Sequence, residues 1–171
     1  MPNATFMNFD RGMDITNTGS ITIASGADDL RVRNFGGASQ YVIDVQGYHV
    51  DPAALTPPPG AATTSALVDG SIYVPLTPCR IVDTRAATTA EFVGPIANRE
   101  IVDVAVSGTG AQFAAQGGQA NGCGIPEGAL AVEASVTAVS PGDSGFFRAW
   151  PSGESMPNAT FMNFDRGMDI T

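Results

Sequence analysis

The sequence predicts an all-β fold, a jelly-roll-like β-sandwich of about ten short strands, on three observations. Gly (20) and Pro (12) are frequent, so turns are frequent. Val, Ile, Thr and Phe fill the runs between them, side chains that suit a pleated, half-buried surface. Several runs alternate apolar with polar residues at period two, and no amphipathic helix of convincing length is present. With 171 residues, 43% of them apolar, there is enough chain for one domain with a proper core.

Each element follows in chain order. Residues 4–9 (ATFMNF) read as a strand and 10–12 as a turn. Residues 20–24 (SITIA) and 30–34 (LRVRN) alternate like half-buried strands, with a turn at 26–29. Residues 41–48 (YVIDVQGY) form the strongest strand of this half. The composition then changes. Residues 51–71, DPAALTPPPGAATTSALVDGS, read as a linker that is extended around its three prolines. Strands are expected at 72–76 and 80–84, and at 101–106, where Val102, Val104 and Val106 face one way. A Gly/Gln/Ala-rich loop spans 108–124. In 131–139 (AVEASVTAV), Val132, Ala134, Val136 and Ala138 share a face, and strands at 145–150 (GFFRAW) and 159–164 follow. Short strands separated by turns suit a sandwich or barrel.

One feature of the chain is unusual. Residues 1–16 and 156–171 are identical, MPNATFMNFDRGMDIT, at an offset of 155 residues. That offset is longer than a solenoid repeat and has the size of a small domain. The chain therefore reads as a window on a tandem array, one period plus sixteen residues. A circular permutant with overlapping ends is the rival reading.

Charge excludes several function classes. The net charge is −9, and all eight basic residues are Arg. The basic face that nucleic acid requires is missing. Without Lys there is no Schiff-base chemistry and no Lys–Asn isopeptide crosslink. His49 is the single His, so a His-rich zinc site cannot be built, and neither a metal nor a cofactor is expected. No run of about 18 apolar residues occurs, so membrane insertion is not expected. The opening MPNATF has no signal-peptide pattern, which places any secretion signal upstream. Cys79 and Cys123 are an even pair in a Gly-rich, helix-poor chain and read as a disulfide, hence an extracellular or cell-surface location; two free buried thiols are the alternative.

Sharper motifs each have a plainer explanation. GDSG at 142–145 matches the nucleophile motif of trypsin-like proteases, but Phe146 breaks it and the only candidate base is His49; a turn between strands explains the segment. No catalytic residue is therefore assigned. Asp44, Asp83 and Arg85 read as structural ion pairs rather than a ligand site. Asp28 and Asp29 lack EF-hand spacing and read as a turn. Trp150, Tyr41, Tyr48 and Tyr73 would serve as a sugar platform if exposed and as core if buried. Asn3-Ala4-Thr5 and its copy at 158–160 fit the N-glycosylation pattern, in or beside an expected strand.

Four segments resemble a repeat of bacterial secreted and cell-surface proteins: YVPLTPCRIVDTR (73–85), NGCGIP (121–126), AVEASVTAVSPGDSGFFRAWPSG (131–153) and VIDVQGYHV (42–50). In that tandem-repeat β-domain family a PCR-[IV]-[VL]-DTR motif opens the unit, CG-[IV]-P follows, and D-[VI]-x-GY closes it. The resemblance implies no enzymatic activity. It also implies that the chain is cut out of phase. Residues 1–50 are the closing portion of one unit, 51–71 the linker, and 72–171 the opening portion of the next; a full unit is 72–171 continued by 17–50.

The duplicated strand then has two copies for one position: Ala4, Thr5, Phe6, Met7, Asn8 and Phe9, or Ala159, Thr160, Phe161, Met162, Asn163 and Phe164. A half-sandwich exposes strand edges that invite pairing. The expected partners are other copies of the same repeat, joined head to tail by strand complementation into a filament. The expected function is a non-enzymatic structural repeat module of an extracellular fibre or surface protein. The second reading is a glycan-binding or adhesion module, with a glycan as partner.

Overall fold

The computed structural model describes residues 15–26, 28–54 and 70–158. They form seven strands: β1 (Ile15–Thr22), β2 (Leu30–Gly36), β3 (Gln40–Val50), β4 (Ile72–Asp83), β5 (Ile101–Val104), β6 (Ala129–Val139) and β7 (Gly145–Pro151). One short helix, α1 (Gln112–Ala115), lies in the Gly-rich loop. One sheet has the order β1-β6-β3-β4 and the other β5-β2-β7, with every neighbouring pair antiparallel. The fold is an all-β sandwich.

The strand count is seven rather than ten, for two reasons. The expected strands at 4–9 and 159–164 lie outside the described residues, as do most of the linker 51–71 and both glycosylation patterns except Asn158. The segments 72–76 and 80–84 are one strand, since β4 runs through Pro75 and Pro78 with irregularities in its register against β3. Proline is tolerated there because β4 ends its sheet's strand order, where ladder donors are dispensable. Several boundaries also move. β1 starts at Ile15 rather than Ser20, because Asn17 and Gly19 oppose Val136 and Ala134 and give no apolar signal of their own. β5 stops at Val104 because the next amides turn to side chains, Ala105 to Gln116 and then Val106 and Ser107 to Asp29.

The core lies between the sheets. Val132, Ala134, Val136 and Ala138 of β6 are buried on one face, as the alternation predicts, beside Tyr41, Ile43 and Val45 of β3. The other sheet contributes Leu30, Val32, Val102, Val104 and Phe147. The Tyr41 ring meets Phe147 edge-on, with centroids 6.3 Å apart. Each fully buried large apolar side chain contributes about 1.5–3 kcal/mol against exposure.

All five strand pairs join one strand from 15–50 to one from 72–158: β1 with β6, β2 with β5 and β7, β3 with β4 and β6. Among the described residues, neither portion has a strand pair of its own. Taken from β4 onward, the strands of the two sheets follow the order of an eight-stranded jelly roll. In that order β4, β5, β6 and β7 are strands one to four, and β1, β2 and β3 are six to eight. The sheets then read 6-3-8-1 and 2-7-4, and the fifth position falls beside β7.

Candidate functional site

The seam between the two portions is where the charged and buried polar side chains concentrate. Arg80 and Asp83 end β4, and Asp44 lies across from Arg80 on β3. Arg80 donates from Nε and Nη2 to the two Asp44 oxygens, at 2.9 and 3.2 Å, and from Nη1 to Asp83 at 3.0 Å. Asp83, with a nearly buried side chain, also accepts from the Arg85 backbone at 3.1 Å and from its guanidinium at 2.9 and 2.8 Å. The guanidinium of Arg85 holds the Asp83 carboxyl below the usual carboxylate range. The hydrogen bonds that Arg80 donates to Asp44 raise its pKa above the ordinary value. All four groups are engaged with each other, the geometry of a structural lock.

A second lock crosses the seam at Asp29, which is fully buried. One carboxylate oxygen accepts from the Val106 amide at 2.6 Å. The other accepts from the Ser107 amide at 2.8 Å and from the Ser107 hydroxyl. Burial raises its pKa, and these hydrogen bonds oppose the rise. Asp28 beside it is exposed, and no group of three or more potential metal ligands occurs among the described residues. Gln116, in the Gly-rich loop, makes a further lock, this one within the 72–158 portion. Its amide bonds the Ile81 and Ala105 carbonyls at 2.7 Å each and accepts from the Ala105 amide at 3.1 Å.

Cys79 of β4 and Cys123 of the loop form a disulfide, with Cα atoms 5.9 Å apart and a sequence separation of 44. It ties the 108–124 loop to the same strand end that carries Arg80 and Asp83.

Ser144 and His49 are not brought together. Residues 142–145 form a turn docked on 36–38: the Gly142 amide donates to the Ala38 carbonyl at 2.8 Å, and the Gly37 amide to the Ser144 carbonyl at 3.1 Å. Gly36 takes φ 114°, and a Cβ there would overlap the Ser144 carbonyl. This turn follows Val139, which is level with Gln40 at the start of β3. His49 sits near the other end of β3, across from Ala131. Nine strand residues separate those levels, about 30 Å. His49 contacts the Ser71 hydroxyl at 3.2 Å and the Tyr73 ring instead. The four aromatics of the expected sugar platform are dispersed. Tyr41 and Trp150 are buried, while Tyr73 lies exposed on β4.

The outward face of the three-stranded sheet carries residues that the sequence reading passed over. Rungs across β2 and β7 pair Arg31 with Trp150, Arg33 with Arg148, and Phe35 with Phe146. Arg31 is neutralised by Asp103 of β5 through bonds of 2.7 and 2.6 Å. Phe35 and Phe146 stack at 4.6 Å, with Arg33 4.7 Å above Phe35. After β7 the chain turns back along this face. Trp150 Nε1 donates to the Glu154 carbonyl and Arg148 to the Pro157 carbonyl, both at 3.1 Å. The matching segments RNF and FFR were visible in the sequence, but nothing local says that β2 and β7 are neighbours.

These features define a disulfide-bonded all-β sandwich whose polar side chains mostly lock its two portions together. Comparison with known protein families, with curated protein sequences and with solved structures finds no match to this chain.

Proposed function

We propose that this chain is a non-enzymatic structural repeat module of an extracellular fibre or surface protein, and that its copies join head to tail by exchanging one strand. The observation that carries the reading is the strand order. Every described pair joins the 15–50 portion to the 72–158 portion, so each portion depends on the other for its sheets. The two portions of one chain meet that need for each other, and a neighbour's portions are chemically identical. The duplicated segment decides between closure and exchange. In the jelly-roll order the fifth position beside β7 takes one strand, and the chain carries two copies of the candidate, 4–9 and 159–164. The surplus copy is free to fill that position in the next molecule, which is donor-strand association.

Three further features favour this reading. The disulfide suits an oxidising compartment. Tyr41 is buried in the core, and Trp150 is buried on the outward face with its Nε1 bonded to the Glu154 carbonyl, which disfavours a sugar platform. The resemblance of the DTR, CGIP and DVQGY segments to secreted tandem repeats points the same way.

Sedimentation velocity tests the proposal. The full chain should form concentration-dependent oligomers. A chain lacking 159–171 should be a monomer with a cooperative melt, because 1–16 still supplies the strand. A full chain that stays monomeric at high concentration, and that the deletion leaves unchanged, would show head-to-tail assembly to be wrong.

A further inference from the structure

The outward face of the three-stranded sheet presents positive charge that no carboxylate among the described residues neutralises. Arg33 and Arg148 are directly opposite each other on β2 and β7. Like charges in that arrangement are destabilising. Neither has a carboxylate partner among the described residues, although the protein carries 17 acidic side chains against 8 arginines. Arg31, Arg80 and Arg85 all have one. Arg99 is next to the pair, its carbonyl accepting from Arg33 Nε at 3.2 Å; it takes φ 67° and also lacks a carboxylate partner among the described residues. The neighbouring Glu100 directs its carboxylate to the Ala97 amide at 2.6 Å. The described arginines without a carboxylate thus gather at one place in an acidic molecule.

The setting is built to hold them. Arg33 rests against the Phe35 ring, and Arg148 lies 5.3 and 5.7 Å from the Phe35 and Phe146 centroids. The Pro157 carbonyl fixes Arg148 Nη1, and the Met156 sulfur contacts Arg33 Nη1 at 3.6 Å. A guanidinium held against an aromatic ring has lost little freedom still to be lost, and its remaining N–H groups match a carboxylate in bidentate geometry. The Phe rings stack on each other and under Arg33, so their faces are not offered to a sugar. The chemistry therefore selects carboxylates.

We propose that the Arg33–Arg148 pair on its Phe35–Phe146 ledge is a subunit contact that accepts acidic side chains from a second copy of this chain. This rests on the head-to-tail reading, because an acidic chain strung into an array brings carboxylates to this face at high local concentration. The complementarity is local: net charge repels copies at long range, and this face supplies the attraction.

The test compares the full chain with its Arg33→Glu/Arg148→Glu variant, with Arg33→Gln/Arg148→Gln as the milder form should the first fail to fold. Sedimentation in low and high salt reads the assembly, and circular dichroism reads the fold. Wild type should assemble and weaken as salt rises. A folded variant should need at least tenfold more protein to reach half-assembly. If wild type and variant assemble alike, the contact is wrong and head-to-tail association stands. If wild type never assembles, both fall. Polygalacturonate is the second probe. Its retention by wild type and not by the variant, with assembly unchanged, would assign the face to an anionic glycan and overturn the subunit contact.

Discussion

The two sheets bury similar side chains toward each other and present opposite outward faces. On the four-stranded sheet the outward polar groups answer one another: Thr16 with Thr137 at 2.7 Å, Thr18 with Ser135 at 2.6 Å, Ser20 with Glu133 at 2.6 Å. Arg80 bridges Asp44 and Asp83 farther along. On the three-stranded sheet Arg31 and Asp103 repeat that solution for one rung, and the next rung sets Arg33 against Arg148 with no carboxylate partner among the described residues. A face whose donors and acceptors are already matched gains little from a partner. A face that holds oriented, unneutralised cations gains a charge-assisted bond from any carboxylate that arrives. Within one sandwich, the first kind of face makes a wall and the second is the one we propose as a contact.

The largest effect expected on the four-stranded side is loss of the disulfide. Replacing Cys79 and Cys123 with Ala reopens the loop between them and should cost about 4 kcal/mol in denaturant-induced unfolding. A loss below 1 kcal/mol would mean that Gln116 and the Arg80–Asp83 cluster hold the loop without it.

Acid sensitivity compares the two sheets directly. Asp83 on β4 and Asp103 on β5 both have pKa values lowered by their hydrogen-bonded arginines, Arg85 and Arg31, from an ordinary value of 3.8. A lowered folded pKa means that the unfolded chain binds protons first. The stabilisation is therefore fully present above the unfolded value and is lost as pH falls below about 4 through the folded one. Asp83 is better shielded, its side chain 7% exposed against 29% for Asp103. Asp83→Asn should therefore flatten the acid branch of a stability-versus-pH curve more than Asp103→Asn does. The reverse order would make the three-stranded sheet the more tightly locked of the two.

The smallest effect belongs to the matched hydroxyl face. Thr18→Ala removes one cross-strand pair at the surface and should cost about 0.2–1 kcal/mol, with no change in assembly. A shift in sedimentation on that substitution would show the wall to be a contact after all.

What depends on neighbouring residues was legible along the chain. Alternation in AVEASVTAV marked the buried face of β6, Gly and Pro marked the turns, and the paired Cys79 and Cys123 read as the disulfide that forms. The resemblance of the DTR and DVQGY segments, and the duplicated sixteen residues, raised the expectation of an out-of-phase chain, and the proposed assembly rests on it. Local pattern erred where polar pairing replaced apolar alternation, as at the start of β1, and where a sheet edge let β4 continue through two prolines. Which residues meet across the fold followed from strand order and register. Asp29 reaches Ser107, Gln116 reaches Ile81, and Arg33 lies across from Arg148, pairs separated by 35 to more than 100 positions or spread across the linker. No residue near Asp29 predicts that it caps a distant backbone turn, because a buried carboxylate's partners are set by strand order and register. The charge of the chain was legible from composition. Its division into a matched face and an unmatched one was not, because side chains share a face only after the strands that bear them have been paired.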